Sequence, residues 1–166
     1  MATPTSLPAT FVAGNVLTAA QMNDLRGAFR VLQVVEGSTT TETSSSTTTF
    51  ADTTLSATIT PSATSSKILV YVSHAQNIKT ATSNLSGLKL KLVRGSTDIY
   101  TISTFLGYTG TSIEMYFPAH GIYLDSPNTT SATTYKTQFA NSTAASLVNV
   151  QQGSVRSTMI LMEISA

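Results

Sequence analysis

Apolar residues along this chain fall mostly in short runs with a period of two, and the densest of these comes last. Ser157-Thr-Met-Ile-Leu-Met-Glu-Ile-Ser165 is apolar from Met159 to Ile164 except at Glu163. Strand side chains alternate between faces, so Ile160, Met162 and Ile164 point one way and Met159, Leu161 and Glu163 the other. Both faces are mostly apolar, unlike an antiparallel strand with one wet face. Either the strand lies wholly inside one sandwich, or its second face is covered by other copies of the chain. The scarcity of helix signals favours other copies. Lys67-Ile-Leu-Val-Tyr-Val-Ser-His74 is two-faced as well, with Ile68, Val70 and Val72 against Leu69 and Tyr71. Met159 and Leu161, with Leu69 and Tyr71, are therefore expected to line a trimer interface. Glu163 is either buried at that interface or a charge pointing at the sheet end.

The remaining strand signals are simpler. Val31-Leu-Gln-Val-Val-Glu36 is closed by Gly37, and the stretch from Phe50 to Ile59 is broken by Thr60-Pro-Ser62. Leu88, Leu90 and Leu92 alternate with Lys89 and Lys91, and Gly95-Ser96 forms a hairpin turn into Thr97–Phe105. Ser112–Phe117 is read as ending at Pro118, with Gly121–Asp125 a separate short strand. Ser126-Pro-Asn-Thr marks a turn, and Thr133–Ala140 and Ala145–Val150 complete the set. The Ser/Thr-rich segment at 38–49 is either a flexible loop or an exposed edge strand. About ten strands separated by Gly, Pro and Ser-rich turns predict an all-β, antiparallel jelly-roll sandwich.

One helix is expected, ahead of the sandwich. Residues 1–16 carry Pro4, Pro8 and Gly14 and read as an extended arm. Thr18-Ala-Ala-Gln21 matches a capping box, and Leu17 and Met22 take the two positions of a hydrophobic staple. Met22, Leu25 and Phe29 follow on one narrow stripe opposite Asn23, Asp24, Arg26 and Arg30. A helix of about a dozen residues is marginal alone, so it must dock. The organisation is thus 1–30, arm and anchor helix, and 31–166, sandwich head.

Composition narrows what such a chain can do. Charged residues make up 10% of it, against a typical share of about 25%, while Ser and Thr approach a third. A hydroxyl surface with few charges suits permanent assembly. The net charge of +1 is spread along the chain, which speaks against nucleic acid. No apolar run is long enough to span a membrane, and the N-terminus lacks the pattern of a signal peptide, so synthesis in a cytoplasm is expected. With no cysteine, disulfides and thiolate metal sites are excluded.

Little points to chemistry. His74 and His120 form no HExxH or i, i+4 pair, the eight carboxylates are scattered singly, and neither a GxSxG elbow nor a phosphate loop occurs. His74 continues the inward face of its strand; His120, between Pro118 and Gly121, is placed in a turn. No catalytic residue, cofactor or metal is expected. Tyr108, Tyr116, Tyr123 and Tyr135 either pack within strands or line a sugar- or partner-binding surface.

The segment Phe11-Val-Ala-Gly-Asn-Val-Leu-Thr-Ala-Ala-Gln-Met-Asn23 resembles the opening of many tailed-phage fibre and structural proteins. Ser66-Lys-Ile-Leu-Val70, Tyr123-Leu-Asp-Ser126, Thr134-Tyr135 and the final strand are similar to C-terminal domains of phage virion proteins whose trimers adopt a tumour-necrosis-factor-like jelly roll. The resemblance implies a non-enzymatic virion protein, a homotrimeric short tail fibre or baseplate-attached adhesin contributing to host attachment. Phe11, Leu17, Met22, Leu25 and Phe29 would anchor it to another virion protein or between sister arms. Loops around 79–86, 106–111 and 126–132 would be the candidate contacts for a host glycan or protein. A capsid decoration protein, and a carbohydrate-binding or polysaccharide-degrading module, are the alternatives.

Overall fold

The computed structural model describes residues 31–144 and 146–165, together with Gly14, Val16, Thr18 and Ala19. The expected arm and anchor residues Phe11, Leu17, Met22, Leu25 and Phe29 lie outside the described residues. Ten strands follow in order: β1 Val31–Thr39, β2 Thr43–Ser45, β3 Ala51–Ile59, β4 Lys67–Lys79, β5 Leu88–Arg94, β6 Thr97–Leu106, β7 Met115–Asp125, β8 Thr133–Asn141, β9 Val148–Val150 and β10 Ser157–Ile164. The Ser/Thr-rich segment is partly strand: β1 runs on to Thr39, and Thr43–Ser45 pair with β9.

All pairings are antiparallel, and they form two sheets. In the first, β4 has β10 and β9 end to end along one edge and β7 along the other, with β1 outside β10 and β2 outside β9. It is therefore four strands wide, β1/β2, β10/β9, β4 and β7. The second sheet has the order β3-β8-β5-β6. Apart from β1–β2, the β5–β6 hairpin and β9–β10, consecutive strands cross from one sheet to the other, in the connectivity of a jelly-roll sandwich. The hairpin at Gly95-Ser96 and the alternation of Leu88, Leu90 and Leu92, all buried, are as the pattern demands.

Two expectations are corrected. Pro118 does not end a strand and His120 is not in a turn, because β7 runs unbroken through both. Proline lacks an N–H and is tolerated only where none is needed, and β7 is a sheet edge, so Pro118 sits where its missing donor costs nothing.

The core lies between the sheets in two clusters. One holds Leu55 and Ile59 of β3, Ile68, Val70 and Val72 of β4, Leu92, Tyr135, and Met159 and Leu161 of β10. The other holds Leu88, Leu90, Phe117, Phe139, Val148 and Val150. Gly37 of β1 allows a close approach to β3, since a Cβ there would collide with the Ser56 carbonyl.

Between the clusters runs a buried polar chain. The Thr53 and Thr137 hydroxyls are 2.5 Å apart, and the Thr137 hydroxyl lies 3.1 Å from His74 Nε2. With the Gln151 amide oriented to satisfy both its ends, its oxygen accepts from His74 Nδ1 at 2.8 Å and Ser157 Oγ at 3.0 Å. Its nitrogen then donates to the carbonyls of Thr41 and Thr53. Gln151 holds a left-handed backbone, φ 54°, to make this reach. Every member is satisfied, which is the condition under which a polar layer fixes how two sheets register rather than weakening them. Burial holds His74 down at about pKa 4, with the nearby His120 adding to the shift, so the ring is neutral.

The sandwich has two distinct ends. Val31 enters at the end that carries loop 60–66, the Gly95-Ser96 turn and loop 126–132. Loops 80–87, 107–114 and 142–147 gather at the opposite end.

Candidate assembly face

Residues paired across antiparallel strands share a face, so register decides which side chains meet. Met159 pairs with Val72 and Leu161 with Val70, and all four are buried in the core. Ile160 pairs with Tyr71 and Met162 with Leu69, on the outer face. The expected grouping of Met159 and Leu161 with Leu69 and Tyr71 on one surface therefore fails: the first two face inward and the last two outward.

The outer face of this sheet forms one apolar row across all four strands and a second across β10, β4 and β7, with the charged Glu36 at its β1 end. One row is Val34, Met162, Leu69 and Leu124; the next is Glu36, Ile160, Tyr71 and Ile122. Val34 is 58% exposed, Leu124 53% and Ile122 62%, while the central residues are half-buried by their neighbours. No described element covers them. Farther along, Thr158, Ser73 and His120 make a polar row.

The outer face of the other sheet is built differently. Lys136 and Gln138 reach Asp52 at 2.9 and 2.8 Å, Lys91 pairs with Asp98 at 2.8 Å, and Thr58 meets Thr134 at 2.8 Å. Burial pushes the Asp52 carboxyl up, but the hydrogen bonds from Lys136 and Gln138 and the Lys136 charge together outweigh it and hold the carboxyl below its usual value. A sandwich with one wet and one apolar outer face has a side made for water and a side made for cover.

Glu163 belongs to the inner row with Met159 and Leu161 and is fully buried. It takes Ser62 N and Oγ at 2.7 and 2.6 Å on one oxygen and Gln33 Nε2 at 2.6 Å on the other. Burial pushes its pKa up, but these donors and Ser66 outweigh it, and the carboxyl stays below the usual range. Its role is to pin loop 60–66 and β1 to the end of the sandwich. Nearby, Arg94 donates to both oxygens of Asp125 at 3.0 and 2.8 Å, and Tyr135 donates to Asp125 at 2.7 Å. Burial and the Asp125 charge push the Tyr135 hydroxyl well up. These are bracing contacts between strands of both sheets.

Among the described residues no three His, Cys, Asp or Glu side chains come together in a way that could hold a metal ion. Of the three loops considered for contact, 79–86 and 106–111 lie together at the end away from Val31, and 126–132 lies at the other. Tyr135 is core and Tyr123 stacks on Tyr100 at 5.2 Å, whereas Tyr108 and Tyr116 are exposed.

No protein-family model matches the chain, and no curated protein does. Among solved structures, a chain of the T=1 particles derived from infectious bursal virus matches at 14% identity and a TM-score of 0.40. The match covers 82% of this chain, which spans 37% of that one. A likeness at that distance carries no argument about fold or function.

Proposed function

We propose that the chain is a non-enzymatic structural subunit of a phage virion, a homotrimeric short tail fibre or baseplate-attached adhesin. The observation that carries the assembly is the apolar outer face of the β1-β10-β4-β7 sheet beside the wet outer face of its partner sheet. Covering the rows through Leu69 and Tyr71 with sister subunits removes apolar surface from water at about 25 cal/mol per Å². Leu69 and Tyr71 remain seam residues in this reading; Ile160, Met162, Ile122 and Leu124 take the place of Met159 and Leu161. The virion assignment draws its support from the resemblance of residues 11–23 to phage fibre openings.

Copy number in purified particles tests the reading. A few copies per particle, with adsorption lost when the chain is deleted, fit a fibre or adhesin. Many copies covering the capsid, with adsorption unchanged, would make the chain a decoration protein instead.

A further inference from the structure

We infer that the end of the sandwich remote from Val31 is a docking surface for an uncharged saccharide, with Tyr108 as its stacking ring. The inference rests on the adhesin reading only for direction, since the chain enters the sandwich at Val31 and this is the opposite end.

Three loops are tied into one platform there. Ser142 N donates to the Gly87 carbonyl and Ser142 Oγ to the Leu85 carbonyl, both at 2.8 Å, and Thr80 N reaches the Leu147 carbonyl at 3.1 Å. The Phe105 ring packs at Gly87 and meets Tyr108 edge-on at 5.0 Å. From below, the buried Lys79 ammonium donates to Thr109 Oγ1 at 2.6 Å and the Thr111 carbonyl at 2.8 Å, and so fixes loop 107–114. Gly107 turns the loop at φ 75°, where a Cβ would strike the Phe117 ring. A buried charge used this way holds a loop in place.

On this rigid base Leu85, Phe105, Tyr108 and Ile113 stand about half exposed. Four half-exposed side chains of this size offer on the order of 300 Å², well short of the roughly 800 Å² per partner of a stable protein interface. The patch is thus sized for a small ligand. Its rim is hydroxyl and amide, from Thr82, Ser83, Asn84, Thr111 and Ser112, and the three loops carry a single charge, Glu114. A sugar ring presents a C–H face to an aromatic ring and hydroxyls to such a rim. Acidic glycans find no exposed cation in these loops and meet the Glu114 carboxylate.

The test uses the full chain, flowed over immobilised neutral oligosaccharides of hexose and N-acetylhexosamine, with sialylated and sulfated oligosaccharides alongside. Binding to neutral members, weakened about tenfold by Tyr108→Ala and weakened also by Lys79→Met, with solution mass and circular dichroism unchanged, is the expected result. No binding to any neutral member, binding to acidic members only, or full binding by Tyr108→Ala overturns the inference. A monomeric chain that still binds through Tyr108 would sink the assembly reading and leave this one standing.

Discussion

Lowering the pH from 7 to 4 should destabilise the sandwich through His74. The ring is buried with no solvent access and fully hydrogen-bonded in its neutral form, with its pKa lowered from 6.5 to about 4. In the unfolded chain it takes a proton near pH 6.5; in the folded chain it refuses one until about pH 4. The unfolded state therefore binds more protons across that window, and stability falls as pH drops through it. A shift of this size corresponds to about 3 kcal/mol, fully present as a stabilising difference above pH 6.5 and lost by about pH 4. Asp52 and Glu163, whose pKa values are lowered, add their own losses as pH falls into the usual carboxylate range and below it. Urea unfolding followed at pH 7, 6, 5 and 4, at one fixed protein concentration because assembly is linked to stability, gives the slope. The wild-type chain should lose most of this 3 kcal/mol between pH 6.5 and 4.5, and His74→Gln, weaker at pH 7, should lose little in the same interval. A wild-type stability flat over that interval, or an equal slope in both proteins, would refute the reasoning.

Three further perturbations have defined outcomes. Leu161→Ala removes a fully buried core side chain and should cost about 2–5 kcal/mol in urea unfolding; a loss of subunit contact without loss of stability would put Leu161 back on a seam. Glu163→Gln weakens the bonds to Ser62 and Gln33 and should cost about 1–3 kcal/mol, read as a lower thermal midpoint at pH 7 that converges on wild type as pH falls through and below the usual carboxylate range, where the carboxylate itself is protonated. Met22→Asp should yield a soluble assembled head that fails to join particles, and normal incorporation would remove the anchor role from the residue 17–29 stripe.

Local periodicity made much of the fold legible. Leu88, Leu90 and Leu92 show their inward face directly, and Gly95-Ser96 shows its hairpin, because neighbours in sequence settle both. The faces of β10 were not legible. Its purely apolar row, Ile160, Met162 and Ile164, looks like the core row, and the row with Glu163 looks like the outer one. The structure reverses this because Ser62 and Gln33, roughly a hundred or more positions away in sequence, satisfy a buried carboxylate for which the strand alone supplies no partner. Pro118 misleads for a related reason: it breaks a central strand but not an edge, and edge position is a property of the sheet. The polar chain through His74 joins Thr53, Thr137, Gln151 and Ser157, residues that no spacing rule connects. A hydroxyl-rich sequence hides such partners, since any Thr could be one.

The most direct test of the assembly face is the solution mass of the full chain beside that of Ile122→Lys. Ile122 is 62% exposed on the single subunit, so the substitution leaves folding nearly untouched if that face is free, and opposes assembly if the face is covered. Sedimentation should give three times the chain mass of 17.5 kDa for the wild type and a folded species near 17.5 kDa for the variant. A monomeric wild type, or a variant that still forms the trimer, would contradict the account.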